Sequence, residues 1–229
     1  MFTKIDKEKL DNYFNELAKI YKKESHGYLF ELILVGGASI LINYNFRDMT
    51  NDIDALFLNS DIIKDCIKKV SEEFNLSPQW INDDFKTTKS FSNKLYEFSS
   101  FYKTYKNILT IRTIKDEYLI AMKLVSGRIY KNDISDIIGI INESKKSTTP
   151  ISYEMIDKAM NNLYGGWELV DKNIIDTLNK ILESKNLDEI YNKTIIEENK
   201  TQTKLIDLKN NSGININERN IDDILKMLE

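Results

Sequence analysis

Asp52 and Asp54, two aspartates with one apolar residue between them, are the side chains of this sequence best placed for metal chemistry. On an extended strand, residues i and i+2 point to the same side, so these two carboxylates can hold a divalent cation between them. A glycine pair, Gly36-Gly37, follows an apolar run upstream, and glycine lets the backbone approach a phosphate closely. Together these residues predict a metal-dependent site for a nucleoside triphosphate. The alternative is that the two aspartates merely begin a solvent-facing strand, because Asn-Asp is common in turns.

The elements that position these residues can be predicted from the spacing of apolar side chains. Helical spacing indicates an amphipathic helix near the start, and continuous apolar runs indicate buried strands before and after the glycine pair. Gly36-Gly37 is predicted to turn the chain from the first strand into a short helix. In chain order, the predicted elements are a helix over 6–24, a strand over 30–35, a short helix over 38–45, a strand over 52–58 and a helix over 61–74.

The rest of the chain is predicted to become increasingly helical. Residues 77–107 are rich in aromatic and lysine side chains and predict short strands and loops. They are followed by a predicted strand over 108–114, helices over 115–127, 132–144, 152–163, 171–184, 187–199 and 218–228, and a polar loop over 199–217. This order predicts an α+β (α/β) fold, in which a mixed sheet is flanked by helices and followed by a helical C-terminal region. The linker candidate KKSTTP, residues 145–150, divides the chain into predicted domains 1–147 and 148–229.

Composition limits the class of protein. With 229 residues, 41% apolar and 30% charged, the chain is typical of a globular protein with a substantial core, and its single cysteine excludes an internal disulfide. No apolar run reaches the length of a membrane span and the first residues lack a signal-peptide core, so we expect a cytoplasmic protein without a membrane partner. The formal net charge is −4, yet ten Lys or Arg and only three acids lie between Lys86 and Lys131. This basic tract either faces phosphates or is balanced by neighbouring surface charges.

The glycine pair and the two aspartates together resemble the signature of the nucleotidyltransferase superfamily. Gly36-Gly37 is followed by fourteen residues and then by Asp52-Ile53-Asp54. Arg47 and Thr50 lie where AbiEii-type toxins and their uncharacterised relatives carry an arginine and a Thr or Ser before Asp-Ile-Asp. The resemblance implies a nucleotidyltransferase-like sheet and an enzyme that moves a nucleoside monophosphate from a triphosphate such as ATP to an acceptor. It also implies Mg²⁺ or Mn²⁺ held by Asp52 and Asp54.

A second stretch, residues 118–137, is similar to the later motifs of the same family. That pattern is a lysine in an apolar helix, an arginine about five residues on, and Asp-x-x-Asp opening the next helix. Those places are occupied by Lys123, Arg128, Asp133 and Asp136. The resemblance, which covers about residues 28–142, implies a catalytic set of Asp52, Asp54, Lys123, Asp133 and Asp136. It implies a nucleotide-binding set of Gly36, Gly37, Ser39, Arg47, Lys123 and Arg128.

Several of these residues also have a purely structural alternative. The glycines either bring N–H groups at the start of a helix to the β- and γ-phosphates, with Ser39 adding a hydroxyl, or form a plain strand-to-helix turn. Arg47 either binds phosphate or pairs with a surface acid such as Asp48. Lys123 either points into the cleft towards the triphosphate or extends its amine to solvent.

One feature departs from the superfamily pattern. Many members carry a third carboxylate on a later central strand, but the candidate strand here, residues 108–114, contains no acid. Asp133 or Asp136 can substitute for it. Alternatively, these two aspartates hold Lys123 or Arg128, or cap the helix that they open. Without a substitute, activity is weakened or the site only binds nucleotide.

The sequence leaves three functions open. The first is a bacterial toxin of a toxin–antitoxin or phage-defence pair, which modifies RNA, in particular the 3′ end of tRNA, and has a cognate antitoxin protein as a partner. The second is a nucleotidyltransferase that acts on a small hydroxyl compound of antibiotic type or on a protein hydroxyl. The third is a nucleotide-binding module that has lost the chemistry.

Overall fold

A computed structural model describes residues 3–50, 52–58, 60–128, 130–212, 220, 221, 224 and 225. Within them, the helices are α1 (Lys7–Glu24), α2 (Gly36–Asn43), α3 (Asp61–Phe74), α4 (Asp116–Ser126), α5 (Asp133–Ser144), α6 (Tyr153–Tyr164), α7 (Lys172–Glu183) and α8 (Leu187–Ser212). The strands are β1 (Phe30–Leu34), β2 (Ile53–Leu56), β3 (Ile81–Asn82), β4 (Ser99–Tyr105) and β5 (Leu109–Ile114). Two short 3₁₀ helices, Asp84–Thr87 and Asn93–Glu97, lie between β3 and β4.

The boundaries of α1, α3 and α4 have local causes in the sequence. Asp6 and Ser60 accept hydrogen bonds from backbone N–H groups three residues later, which caps the starts of α1 and α3. Asn75 and Gly127 adopt the left-handed conformation, with φ of 54° and 59°, and stop α3 and α4. After α4 stops at Gly127, the next helix, α5, begins at Asp133.

The described strands form one mixed sheet in the order β3-β2-β1-β5-β4. The central strand, β1, is parallel to β5 and antiparallel to β2, while β3 is parallel to β2 and β4 is antiparallel to β5. In the antiparallel pair, Leu34 at the end of β1 lies opposite Ala55 near the start of β2. The glycine pair that follows β1 and the aspartates at the start of β2 are therefore neighbours in space.

Helices cover both faces of the sheet. On one face, α1 and α3 pack against residues such as Leu32 and Ile53. On the other face, Ile33 and Leu56 pack with residues of α4, α5 and α6. Since successive strand residues alternate between the two faces, Asp54 points to the same side as α4 and α5.

The predicted fold class is confirmed, because a mixed sheet flanked by helices leads into a helical C-terminal region. The prediction of a loop over 199–217 is wrong for residues 199–212, since α8 continues without interruption to Ser212. The hydroxyls of Thr201 and Thr203 donate to carbonyl groups one turn earlier, and Leu205 is buried. Packing thus keeps this polar segment helical.

Two other predictions concern the C-terminal half. The predicted helix over 218–228 falls mostly outside the described residues. Among its described members, Ile221, Ile224 and Leu225 pack near Tyr130 and Leu205. The division into domains 1–147 and 148–229 stays a prediction. Across that position, α6 packs against α4 and α8 packs against α5. In the described part of the chain, no helix has both the length and the apolar character needed to cross a membrane.

Candidate active site

The glycine pair opens helix α2 instead of preceding it. The sequence predicts a turn at Gly36-Gly37 and a helix from residue 38, but α2 begins at Gly36, with Val35 in an extended conformation as its N-cap. Gly36 has φ of +57°, a conformation that strains residues with a side chain. Gly36 therefore changes the direction of the chain itself, and the N–H groups of the first helical turn follow directly on β1.

The carboxylate of Asp54 lies against Gly36. A Cβ placed on Gly36 would lie 3.2 Å from Asp54 Oδ2. The N–H of Val35 donates to the carbonyl oxygen of Asp54 at 2.9 Å, which holds the start of β2 beside the end of β1. The sheet thereby places the carboxylate of Asp54 beside Gly36, the first residue of α2.

No cation of the described residues forms an ion pair with Asp52 or Asp54. Asp52 is exposed and Asp54 is partly buried, and neither carboxylate has an ion-pair or hydrogen-bond partner among the residues that the structure describes. Burial, together with the charge of Asp52, raises the pKa of Asp54 to about 6, although the positive charges of Lys131, Arg128 and Lys123 oppose the shift. Two neighbouring carboxylates in this state attract a divalent cation.

Arg47 connects the glycine pair to the second motif. Its guanidinium packs on Gly37, where a Cβ would lie 2.8 Å from Nη2 of Arg47. Nη1 of the same guanidinium donates to Asp136 Oδ2 at 2.7 Å. The acid that pairs with Arg47 is therefore the buried Asp136 on α5, and not the neighbouring Asp48. Any side chain at position 37 would displace the guanidinium.

Lys123 lies at the centre of a buried ion-pair network. Its Nζ is 3.0 Å from Asp133 Oδ1 and 2.8 Å from Asp136 Oδ2, and only 6% of the residue is exposed. Arg128 donates from Nε to Asp133 Oδ2 at 2.9 Å, and Arg47 pairs with Asp136. Each aspartate thus lies between two cations. Lys123 does not extend its amine to solvent.

The electrostatics of the network keep its central pair charged. Burial disfavours the charged amine of Lys123, but Asp136 and Asp133 together outweigh this effect and raise its pKa. Burial likewise opposes the charge of Asp133, yet Lys123 and Arg128 hold the pKa of that carboxyl well below its ordinary value. Lys123 and Asp133 therefore stay ionised together throughout the neutral pH range. The geometry favours the alternative in which Asp133 and Asp136 hold the neighbouring cations.

Two further sequence features lie apart from these contacts. Ser39 is fully buried in α2, and its hydroxyl has no hydrogen-bond partner among the described residues. Its contact with a phosphate stays a prediction. On β5, the strand beside β1 that carries no acid, Arg112 donates to the hydroxyl and the carbonyl oxygen of Ser99 at 2.8 and 2.9 Å. This strand contributes an arginine tied to β4, and no carboxylate.

Three residues near the site were not singled out from the sequence. Lys131 is exposed, and its positive charge acts on Asp54. Tyr191 and Glu198 belong to α8 and contact the segment before Arg47 and the first turn of α5. The signal for Glu198 was present: it falls on the apolar side of its helix, seven residues after Tyr191.

The donor set at β2 suits Mg²⁺. Asp52 and Asp54 offer oxygen ligands that no described cation occupies, and Mg²⁺ is usually held by one or two carboxylates together with substrate phosphates. Within the described residues, no group of three or more His, Cys, Asp or Glu is placed to hold a metal by itself. Asp133 and Asp136 are already paired with cations, so the carboxylates of Asp52 and Asp54 are the ones that fit a metal ion.

Comparison with protein families agrees with this geometry. The family described as nucleotidyltransferase of unknown function (DUF6036) matches residues 8–165, more than half of the chain. The chain therefore belongs to this family of nucleotidyltransferases, and the predicted superfamily is confirmed. The match does not distinguish the AbiEii-like toxin type, and it ends after α6, so that α8 lies outside it. Comparisons with curated proteins and with solved structures find no match.

Proposed function

We propose that this protein transfers a nucleoside monophosphate from a nucleoside triphosphate to an acceptor hydroxyl, in a reaction that depends on Mg²⁺ or Mn²⁺ and releases pyrophosphate and the hydroxyl proton. One observation supports the proposal most directly. Asp52 and Asp54 form no ion pair with any described residue, and Asp54 lies against the glycine that opens α2. Two carboxylates suited to a metal ion and the first N–H groups of a helix, which suit a phosphate, thus lie at the same end of the sheet.

The roles of the first motif follow from its contacts. Asp52 and Asp54 hold the metal ion, which when bound neutralises charge on the phosphate oxygens during transfer. The first N–H groups of α2 face the phosphates, and the helix dipole favours their negative charge. Arg47 Nη2 has no partner among the described residues and lies on Gly37, so it donates to a phosphate oxygen while Nη1 stays on Asp136.

The second motif supplies a charged support. Lys123 is buried between Asp133 and Asp136, where it neutralises both carboxylates and prevents them from competing for the metal ion. The exposed Lys131 and the adjacent Arg128 then provide positive charge towards Asp54 and the triphosphate. In this assignment, Lys123 acts through the groups that it holds and does not touch the nucleotide.

We propose RNA as the acceptor, with the 3′ end of tRNA as the specific candidate. Some lysines of the basic tract are neutralised, since Lys86 pairs with Asp83 and Lys103 with Asp11. Five others are exposed and have no ion-pair partner in the described part of the chain: Lys89, Lys94, Lys106, Lys115 and Lys131. Exposed cations favour a polyanionic acceptor and disfavour a cationic antibiotic.

The role of a toxin with a cognate antitoxin is the most specific part of the proposal, and the family resemblance is its only support. Growth arrest on expression of the wild-type protein, and normal growth on expression of Asp54→Ala, would support it. Equal growth of both cultures at equal protein levels would remove it while leaving nucleotidyl transfer intact.

The test of the transfer reaction uses labelled nucleoside triphosphates, Mg²⁺ and total tRNA. Asp52→Ala and Asp54→Ala are compared with Asp48→Ala, a matched control that removes an exposed aspartate from the same segment. We expect the wild type and the control to label RNA and the two site variants to be inactive. Equal labelling in all four samples would exclude the proposed site. No labelling by the wild type with any nucleotide or either metal would exclude the reaction with RNA.

The missing carboxylate on β5 supports one second candidate, a module that binds nucleotide without transfer. Calorimetry separates the two functions. Nucleotide binding that needs no metal, with no turnover, would favour the module. Binding that requires Mg²⁺ and is lost in Asp54→Ala would favour the enzyme.

A further inference from the structure

Helix α8 lies outside the family-matched residues but contacts both segments that carry the ion pair between Arg47 and Asp136. It packs along α5, whose first turn contains Asp136, and it reaches the segment that precedes Arg47. Two of its side chains hydrogen-bond to these segments: Tyr191 to Phe46, and Glu198 to the first turn of α5. They are seven residues apart, which places them on one side of the helix, about two turns from each other.

Glu198 caps the start of α5. Its Oε1 accepts hydrogen bonds from the backbone N–H groups of Ile134 and Ser135, at 3.1 and 3.2 Å. The first N–H groups of a helix have no partner within it, and Asn132, the N-cap residue of α5, makes no side-chain capping bond. A buried carboxylate from α8, only 5% exposed, therefore performs the capping that is normally done by a local residue.

The capped turn is the one that carries the two network aspartates. Ile134 and Ser135 lie between Asp133 and Asp136 in the sequence. The hydrogen bonds to Glu198 therefore fix the backbone from which both carboxylates reach Lys123.

Tyr191 holds the segment at the other end of the ion pair. Its hydroxyl donates to the carbonyl oxygen of Phe46 at 2.9 Å, and the two rings meet edge to face with their centroids 5.8 Å apart. The ring of Phe46 also lies on Gly139 of α5, where a Cβ would be 2.5 Å from Cε2. Phe46 directly precedes Arg47, so α8 and α5 together fix the backbone from which the Arg47 side chain extends.

We propose that Tyr191 and Glu198 are positioning residues, which hold Arg47 and Asp136 at their 2.7 Å separation and so keep the guanidinium on the glycine-opened turn of α2. The functional unit then extends beyond residues 8–165 to include α8. If α8 served stability alone, its loss of contacts would weaken the whole chain evenly. As a positioning element, it acts on two local segments.

Hydrogen exchange without nucleotide tests the positioning directly. Tyr191→Phe removes one hydroxyl and Glu198→Ala removes the cap. The matched controls are Tyr153→Phe, on the exposed Tyr153, and Glu197→Gln, on the exposed neighbour of Glu198. We expect amide exchange to rise about fivefold or more over residues 44–50 in Tyr191→Phe and over 133–137 in Glu198→Ala, with α3 unchanged. Glu198→Gln keeps an acceptor oxygen and should restore protection.

Two results would overturn the proposal. Unchanged exchange in both segments would show that the contacts with α8 do not hold them. An even rise over all helices would show that α8 contributes only to global stability.

The catalytic readout rests on the proposed nucleotidyl transfer. Because Arg47 is placed to bind phosphate, we expect KM for the nucleoside triphosphate to rise about fivefold to tenfold in Tyr191→Phe and Glu198→Ala, with kcat changed less than about twofold. Glu198→Gln should stay near the wild-type KM, and a KM unchanged in every variant would contradict the positioning role. A wild type without any nucleotide turnover would instead exclude the proposed function, while the exchange data would still decide the role of α8.

Discussion

The chain has two pairs of closely spaced aspartates, and their electrostatic surroundings are opposite. Asp52 and Asp54 have no cation partner among the described residues, and the pKa of Asp54 is raised to about 6, chiefly by burial. Asp133 and Asp136 are buried, and each lies between two cations. The sequence favours Asp52 and Asp54 as metal ligands and leaves Asp133 and Asp136 open as a further acid, as partners of Lys123 or Arg128, or as helix caps. Among the described residues, the second pair is neutralised by ion pairs, whereas the first pair has none.

This difference assigns different work to the two pairs. A metal ion at Asp133 or Asp136 would have to displace Lys123, and the displaced buried amine would lose its compensating charge. A metal ion at Asp52 and Asp54 displaces nothing and relieves the repulsion between them. We infer that the first pair is kept for an external cation, whereas the second pair holds the protein's own cations in place.

The largest effect expected from this comparison is on nucleotidyl transfer. Asp54→Asn should lower metal-dependent transfer about a thousandfold or more, because it removes a ligand charge at the reacting phosphate while the fold remains intact. Initial rates of label transfer at saturating Mg²⁺ measure it, and circular dichroism checks folding. Asp48→Asn serves as the control. A folded Asp54→Asn protein that retains more than about a tenth of the wild-type rate would remove Asp54 from the metal site.

The next largest effect is on stability in the second pair. Lys123→Met should lower the free energy of unfolding by about 3–5 kcal/mol, because it leaves two buried carboxylates without their shared amine. Urea unfolding measures this change. Lys115→Met, which removes an exposed lysine at the start of α4, should change it by less than about 0.5 kcal/mol. Similar values for the two variants would mean that the network carries little net energy.

Much of this comparison could not be predicted from the sequence, although its members could. Apolar spacing predicts β1, β2, α4 and α5, and the motifs within them name Asp54, Lys123 and Asp133. Local patterns do not reveal that Arg47 pairs with Asp136, because that contact joins residues 89 positions apart. They also do not reveal which acids are neutralised, since neutralisation depends on packing that only the complete fold defines.

Helix α8 shows the same limit in another form. Its second half, residues 199–212, is rich in asparagine and threonine, which have weak helix propensity, so the sequence predicts a loop. The buried Leu205 stabilises the helix there instead. Glu198 does not stand out in the sequence, because a glutamate in a polar helix is normally exposed. Its position on the apolar side of α8 was the available signal.

Glu198 provides a prediction of intermediate size that depends on pH. Burial raises its pKa from an ordinary 4.5 to about 7, against the hydrogen bonds from Ser135 and Ile134 that lower it. Because the pKa is raised on folding, its contribution to stability is complete below about pH 4.5 and is lost as the pH rises through 7. Glu198→Gln removes this loss, so its stability relative to the wild type should increase by up to about 3 kcal/mol between pH 5 and pH 8.

Thermal unfolding at the two pH values measures this change. Glu197→Gln removes an exposed charge from the same turn and should show no such dependence. A flat difference for Glu198→Gln would mean that Glu198 titrates near its ordinary pKa when folded.

The smallest effect has the opposite sign in the two pairs, and so it tests the comparison most sharply. In Mg²⁺-free buffer at pH 8, Asp54→Asn should raise the free energy of unfolding by about 1–2 kcal/mol. This variant removes a charge that burial and Asp52 disfavour. The expected gain in the free energy of unfolding is smaller than the full pKa shift implies, because Asp54 is partly exposed. The sign follows from the raised pKa, since the penalty on the charged form exists above about pH 6 and disappears below about pH 4, where the carboxyl is protonated in both states.

Asp136→Asn should destabilise the protein under the same conditions, because Lys123 and Arg47 lose their shared partner. Added Mg²⁺ should stabilise the wild type and reduce the stability difference between it and Asp54→Asn. A ligand that binds only the folded state shifts the folding equilibrium towards that state. If Asp54→Asn destabilises the metal-free protein at pH 8, Asp54 has a stabilising partner and the two pairs are not opposites.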